Sequence, residues 1–156
     1  MYKYDRRIVT GSLTPLMDRL VKDAGKIMSV AGTAVNVAHK VADQVEDLAL
    51  TNPNDERIKG LCRKAVDAAY NLFESFRSFL NGGDAEIKSV EDFPVTVVRE
   101  ARNLYNVLRF ELSPAYNLAV EASSKSGVDA MTATHELAVA CATVRSAFGQ
   151  YLAAYK

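Results

Sequence analysis

The sequence predicts an all-α protein, an antiparallel four-helix bundle that follows a short N-terminal arm. Apolar residues recur at steps of three and four over four segments, which is the spacing of one helix face. Proline, glycine and Asx residues fall between the segments, so the connections are short or of medium length. The chain has 156 residues, which suits one domain, and we assign residues 1–12 to the arm and 13–156 to a single helical domain.

The first predicted helix covers roughly residues 15–50. Thr14 is a suitable N-cap and Pro15 a suitable first helical residue. Turn residues from Thr51 to Asp55 end the helix. Its apolar residues keep a seven-residue repeat with an alanine-rich centre: Leu13, Met17, Leu20, Ala24, Ile27, Ala31, Ala34, Ala38, Val41, Val45 and Leu48.

The second predicted helix covers about residues 55–81. The run Asn81-Gly82-Gly83 is a strong stop signal, because glycine and asparagine are the usual residues just after a helix. We expect an exposed, acidic loop from there to about Asp92. The apolar stripe has small residues early and aromatic residues late: Ile58, Cys62, Ala65, Ala69, Leu72, Phe76 and Phe79.

The third predicted helix starts near residues 92–93. The run Val95–Val98 is entirely β-branched, so a short strand is the alternative there. The pair Ser113-Pro114 either kinks this helix or ends it and caps the next one, which continues to about Ala122. The apolar face is Val97, Ala101, Leu104, Leu108 and Leu112.

A loop over residues 123–127 precedes the final predicted helix. Asp129 can accept hydrogen bonds from the first-turn N–H groups, and we expect it to be the N-cap. One stripe carries the apolar residues of this helix: Ala130, Thr134, Leu137, Cys141, Val144, Phe148, Tyr151 and Tyr155.

The composition argues against several classes of protein. Nineteen basic and nineteen acidic residues cancel, so bulk charge does not favour tight binding of nucleic acid, although a local basic patch stays open. The first residues lack the apolar core of a secretory signal, and the uncharged window Ile27–His39 is too short to span a bilayer. Cys62 and Cys141 fall on apolar helix faces, so we expect buried thiols in a reducing, cytoplasmic setting.

No pattern of residues indicates catalysis. His39 and His135 both lack the glutamate three residues earlier that metal-binding helical bundles use, and His39 with Asp43 makes only one i,i+4 pair. No serine lies in a nucleophile-elbow pattern, and no glycine-rich loop resembles a phosphate cradle. We therefore expect no enzymatic activity, metal, cofactor or small-molecule substrate.

The charge-free window Ile27–His39 is the most informative feature of the chain. A helix without a charged face is buried all round, by its own domain or by a neighbour. Opposite the apolar repeat, small residues follow at i, i+4, i+7 and i+11, and we name this set the small-residue ridge: Gly25, Ser29, Gly32 and Asn36. Each glycine costs the helix about 1 kcal/mol relative to alanine, so we predict that another molecule docks closely there. The alternative is that the N-terminal arm or residues 115–122 cover this side.

Two groups of charges bear on partners. The acidic cluster, defined as Asp43, Glu46 and Asp47, lies near a helix C-terminus, where the dipole disfavours negative charge. It is either a solvated face or a partner surface completed by lysine or arginine from another subunit. Basic residues could form a phosphate-facing surface, although solvated helix faces explain them as well: Arg6, Arg7, Arg19, Lys22, Lys26, Arg57, Lys59, Arg63 and Lys64.

The final helix contains Ala133-Thr134, Ala140 and the run Val144–Ala147. These residues, together with the interval from Phe110 to Arg145, resemble the last helix of tobamovirus-type rod coat proteins. Cys62-Arg63 with Val66, Tyr70 and Phe73 is similar to the second helix of that family, and the similarity covers about residues 58–152.

The resemblance implies a small antiparallel helical bundle whose subunits stack into a helix inside a virion, with RNA in a groove between layers. It also implies RNA contact by Arg63, Arg145 and Ser146. The chain departs from the family where other RNA-contacting basic residues are expected, and it has no tryptophan. The positions that depart are Ser113, Ala115, His135 and Glu136.

The sequence thus predicts a non-enzymatic structural subunit, a coat-like or scaffold protomer. It would self-assemble through helix faces into a homo-oligomer or larger assembly, with nucleic acid as a candidate partner and no membrane contact. One alternative is a monomeric adaptor that binds an amphipathic peptide helix in a groove. The other is a small helical subunit of a nucleoprotein complex that contacts the phosphate backbone through arginines of the second helix.

Overall fold

The computed structural model describes residues 15–89, 94–123 and 127–155, and within these ranges it is helical with no strand. The prediction of an all-α protein is therefore confirmed. The predicted arm, the Thr14 cap, the start of the third helix and residues 124–126 of the predicted loop lie outside the described residues. The helices are α1 (Pro15–Lys22), α2 (Ala24–Thr51), α3 (Arg57–Ser75), α4 (Arg77–Ser89), α5 (Val95–Val107), α6 (Ser113–Ala122) and α7 (Gly127–Tyr155), and a π-helical segment, Leu108–Leu112, joins α5 to α6.

The first predicted helix is present as α1 and α2, with one irregular residue between them. Asp23 departs from helical geometry, with φ −93° and ψ 12°. Its N–H still donates to the carbonyl oxygen of Arg19, and its own carbonyl accepts from the N–H of Ile27, both at 2.9 Å. Helical hydrogen bonding therefore continues across the break. The predicted apolar repeat is buried at Met17, Leu20, Ile27, Ala31, Ala34, Ala38, Val41 and Val45.

The predicted stop at Asn81-Gly82-Gly83 is wrong, because α4 runs through both glycines to Ser89. Both glycines lie where a neighbouring side chain packs too closely to leave room for a Cβ atom. A Cβ atom at Gly83 would lie 2.9 Å from Cδ1 of Phe79, and one at Gly82 would lie 2.8 Å from Cδ1 of Leu16. No described glycine has a positive φ, so neither residue uses the left-handed conformation that ends helices. The predicted exposed loop is likewise helical as far as Ser89.

Helix, and not strand, forms at Val95–Val98. Pro94 precedes α5 with an extended backbone (φ −56°, ψ 137°), and its carbonyl oxygen accepts from the N–H groups of Val97 and Val98 at 3.0 and 3.2 Å. Proline at the helix start supplies an acceptor and lacks only an N–H that would have no helical partner there. Val97 is buried on the core side of α5, and this packing outweighs the β propensity of the run.

Pro114 does not end its helix. The π-helical segment precedes it, and the N–H of Ser113 donates to the carbonyl of Leu108, five residues back. A π turn inserts one extra residue, which lets the chain pass a proline that has no N–H to donate. The helix is therefore irregular before Pro114 and continues to Ala122.

The last predicted helix is present, but it starts three residues before Ala130, the first helical residue expected after an Asp129 cap. α7 begins at Gly127, so Asp129 lies in the first turn and is not the N-cap. An acidic residue in the first turn still complements the helix dipole. The predicted stripe is buried from Ala130 to Tyr155.

The core has an alanine-rich part and an aromatic part. α2 makes its most extensive contact with α7 and also packs against α3, while α5 and α6 pack against α7. In the aromatic part, the rings of Phe76 and Phe148 meet edge to face with their centroids 5.4 Å apart, and those of Phe79 and Tyr105 do so at 5.8 Å. The buried hydroxyl of Thr134 donates to the carbonyl oxygen of Ala130 at 2.7 Å, so its polar atom is satisfied.

Candidate functional site

The exposed side of α2 carries the small-residue ridge. Ile27, Ala31, Ala34 and Ala38 turn one side of the helix into the core, so residues on the opposite side face outward. Three ridge residues are exposed and Gly32 is half-buried. A Cβ atom at Gly25 or Gly32 would meet nothing within 4 Å.

The window Ile27–His39 is thus not buried all round within the single chain. Ser29, Thr33, Asn36 and His39 are exposed, because α7 and α3 cover only part of the helix circumference. The suggestion that residues 115–122 cover the ridge is not supported, since α6 packs mainly against α7 and α3. Coverage by the N-terminal arm lies outside the described residues.

The ridge glycines differ from Gly82 and Gly83 in a way that bears on function. The two α4 glycines make room for Leu16 and Phe79 inside the fold. The ridge glycines make room for no other described residue, yet Gly32, in the helix interior, still costs about 1 kcal/mol of helix stability. Their small size has no use inside the described structure.

Charges flank the ridge at both ends. Lys22 and Lys26 lie at its N-terminal end, and the exposed acidic cluster lies at its C-terminal end. Lys22 pairs with Asp18 at 3.2 Å across a surface where the lysine side chain is 75% exposed. Lys26 and the acidic cluster form no ion pair with another described residue.

The acidic cluster also borders a groove between the end of α2 and the start of α7. Asp43 and Glu46 line it opposite His135 and Glu136. Among the described residues, however, no group of three His, Cys, Asp or Glu side chains is placed to hold a metal ion. His39 lies on the exposed side of α2 and makes no described contact with Asp43.

The three residues that the coat-protein resemblance assigns to RNA lie on two helices. Arg63 lies on α3, whereas Arg145 and Ser146 lie on α7, and all three are exposed. No hydrogen bond or ion pair between described residues joins Arg63 to either of the others. Each is a surface side chain that is exposed to solvent.

Both cysteines are free and buried, as the sequence predicts. Burial raises the pKa of the Cys62 thiol, and it raises the pKa of Cys141 to about 12. Since the thiolate is the reactive form, neither sulfur is prepared for nucleophilic chemistry at neutral pH.

One surface feature was missed at the sequence level, an apolar groove between α6 and α7. Leu118 is 43% exposed and Val139 is 50% exposed, and Pro114, Ala115 and Ala140 lie beside them. Glu111, His135 and Glu136 complete the rim. The available signal was that Leu118 and Val139 are apolar but lie off the predicted core stripes.

Comparisons with protein-family models, curated proteins and solved structures give no significant match. They therefore do not bear on the resemblance to rod-shaped virus coat proteins. None of the described helices combines the length and the apolar character needed to cross a bilayer.

Proposed function

We propose that the protein is a non-enzymatic structural subunit that self-associates through the small-residue ridge of α2. One observation carries the proposal: a Cβ atom at either ridge glycine would meet no other described residue, although Gly32 lies in the interior of a long helix, where glycine is costly. Small residues let another helix approach closely, which offsets the helix propensity lost at each glycine. Half-buried Val30 and Val37 lie beside the ridge and supply apolar area.

The scaffold that we propose for this subunit is an antiparallel four-helix bundle. Its rods would be α1 with α2, α3 with α4, α5 with α6, and α7. Three contacts support opposite directions for neighbouring rods. The hydroxyl of Tyr151, near the end of α7, donates to the carbonyl oxygen of Met17 near the start of α1 at 2.7 Å. Leu16 meets Gly82 late in the second rod, and Phe73 meets Tyr116 edge to face at 5.8 Å.

The absence of catalysis is part of the proposal. The described histidines are exposed, the cysteines are buried with raised pKa values, and the acidic cluster faces solvent. These placements support a protein that works by contact. A coat-like or scaffold protomer, acting in the cytoplasm or within a virion, fits such a role. Arg63, Arg145 and Ser146 are its candidate contacts with nucleic acid.

Light scattering with a matched pair of variants tests the proposal. Gly32→Leu should leave the fold intact, because the site is open, and should abolish self-association by blocking close approach. Gly60→Leu is the control, since Gly60 is also helical and open but lies on α3. If wild-type protein is monomeric at high concentration, or if Gly32→Leu still assembles like Gly60→Leu, the ridge is not an interface.

The groove between α6 and α7 favours a second candidate function, the monomeric adaptor. Leu118 and Val139 could take apolar anchors of an amphipathic peptide helix, spaced at i, i+4 and i+7. A monomer that binds such a peptide, and loses it in Val139→Asp, would favour this function. The other alternative, a subunit of a nucleoprotein complex, predicts binding of nucleic acid that weakens steeply with added salt, because phosphate contacts release counterions.

A further inference from the structure

We propose that the partner of the small-residue ridge is the ridge of a second copy of this chain, in antiparallel orientation. The two α2 helices would be related by a two-fold axis that passes between them at the level of Ala34. This inference rests on the proposed function and adds to it the orientation of the second copy and an association that stops at two copies.

The layout of charge from Lys22, the last residue of α1, along the exposed side of α2 carries the inference. Lys22, Ser29, Asn36 and Asp43 follow one another at seven-residue steps, so they form one line along the exposed side. Lys26, Thr33, Lys40 and Asp47 form a second line at the same steps, next to the first. Each line is basic at its N-terminal end and acidic at its C-terminal end.

Two copies of a face with this charge layout attract each other only when their helices run in opposite directions. Antiparallel pairing about Ala34 places Lys26 opposite Asp43 of the second copy, and Lys22 opposite Asp47, with each pair occurring twice. Parallel pairing would place lysine beside lysine and aspartate beside aspartate, which is repulsive. Charge complementarity therefore selects both the partner and the orientation.

The middle of the face suits close approach. Between Lys26 and Asp43, about 26 Å along the helix, the ridge presents Ser29, Gly32 and Asn36. Lys40 is the one charged side chain near the middle of the face, and the reversed register sets it against Ser29 of the second copy. Small side chains allow the helix axes to lie at the short end of the usual 8–10 Å spacing. At that spacing the flexible lysine side chains reach the carboxylates of the other copy.

The charges are free to make these contacts. Lys26, Asp43 and Asp47 form no ion pair with another described residue, and the pair between Lys22 and Asp18 is solvent-exposed and weak. A two-fold interface uses the same patch on both copies, so association through it stops at two. The dimer would then be the unit from which any larger assembly is built through other surfaces.

A charge-exchange experiment tests the orientation by sedimentation equilibrium. Variant A carries Lys22→Glu and Lys26→Glu, and variant B carries Asp43→Lys and Asp47→Lys. Alone, each variant places like charges together, so its dimer Kd should rise about tenfold or more. Combined in one chain, the four substitutions restore opposite charges only when the two copies are reversed, so this fourfold variant should dimerise with nearly the wild-type Kd.

The control carries Lys59→Glu and Lys64→Glu, which makes the same charge change as variant A on exposed residues of α3. It should dimerise like the wild type, and circular dichroism should show that every variant is folded. If the wild type dimerises and Gly32→Leu prevents it, but the fourfold variant stays monomeric, the antiparallel register is wrong and the proposed function stands. Growth of the wild type beyond a dimer through this face would also overturn the two-fold geometry. A wild type that is monomeric throughout overturns both.

Discussion

The carboxylate of Glu86 accepts a hydrogen bond from the backbone N–H of Met17 at 2.9 Å. Its second oxygen accepts from the N–H of Leu16 at 3.2 Å. These N–H groups belong to the first turn of α1, where a helix has no internal acceptors for them. A side chain about seventy residues away thus caps α1, and the negative charge also complements the helix dipole. The contact fixes the start of α1 against the end of α4.

Replacing Glu86 by glutamine should lower the free energy of unfolding by about 1 kcal/mol. Glutamine keeps one acceptor oxygen but presents an NH₂ group to the second N–H and removes the charge. The measurement is chemical denaturation. The control is Asp84→Asn, because Asp84 is exposed and pairs only with Lys88 on the same helix at 3.0 Å. Equal changes in the two variants would show that Glu86 is not a cap.

Replacing a helical glycine by alanine should lower the stability of the protein at Gly83 and raise it at Gly60. Gly83→Ala places a methyl group against the ring of Phe79, which is itself buried, so we expect a net loss of about 1–3 kcal/mol. Gly60→Ala enters open space and should gain up to about 1 kcal/mol of helix propensity. Thermal unfolding shows whether each variant is less or more stable than the wild type. A stabilised Gly83→Ala protein would mean that the α4 glycine is not required for packing.

Asp55 should make the start of α3 sensitive to acid. The side chain and backbone N–H of Arg57 donate to its carboxylate at 2.8–3.0 Å, and these bonds lower the pKa of Asp55 to about 2. Because the folded pKa lies below the unfolded value of 3.8, the stabilisation is complete above about pH 4 and is lost as the pH falls towards 2. Asp55→Asn should therefore lose less stability than the wild type over that range. An NMR titration of Asp55 with a midpoint near 4 would contradict the expected shift.

Local signals were sufficient to predict the apolar faces of the first and last helices. The seven-residue apolar repeat of the first helix needs only the period of one helix face, and most of its members, from Met17 to Val45, are buried as expected. The same rule applies to the stripe of α7. Those predictions succeeded because burial on one face of a long helix follows from spacing alone, whatever the partner helix is.

Predictions failed where a distant residue decided the outcome. Gly82 and Gly83 have the composition of a stop signal, but α4 continues through both. Leu16, from a distant segment, packs against Gly82, whereas Phe79, one turn earlier in α4, packs against Gly83. The cap from Glu86 could not be read from the sequence, since it joins segments about seventy residues apart.

The sequence by itself determined that the chain is helical, where its apolar stripes lie, and that the ridge of α2 combines small residues with opposite charges at its two ends. Only the tertiary structure decided which glycines are used inside the fold and which are left open. The physical reason is that helix periodicity is a local property of the chain. The fit of one side chain into the space beside another depends on residues that the chain brings together only when it folds.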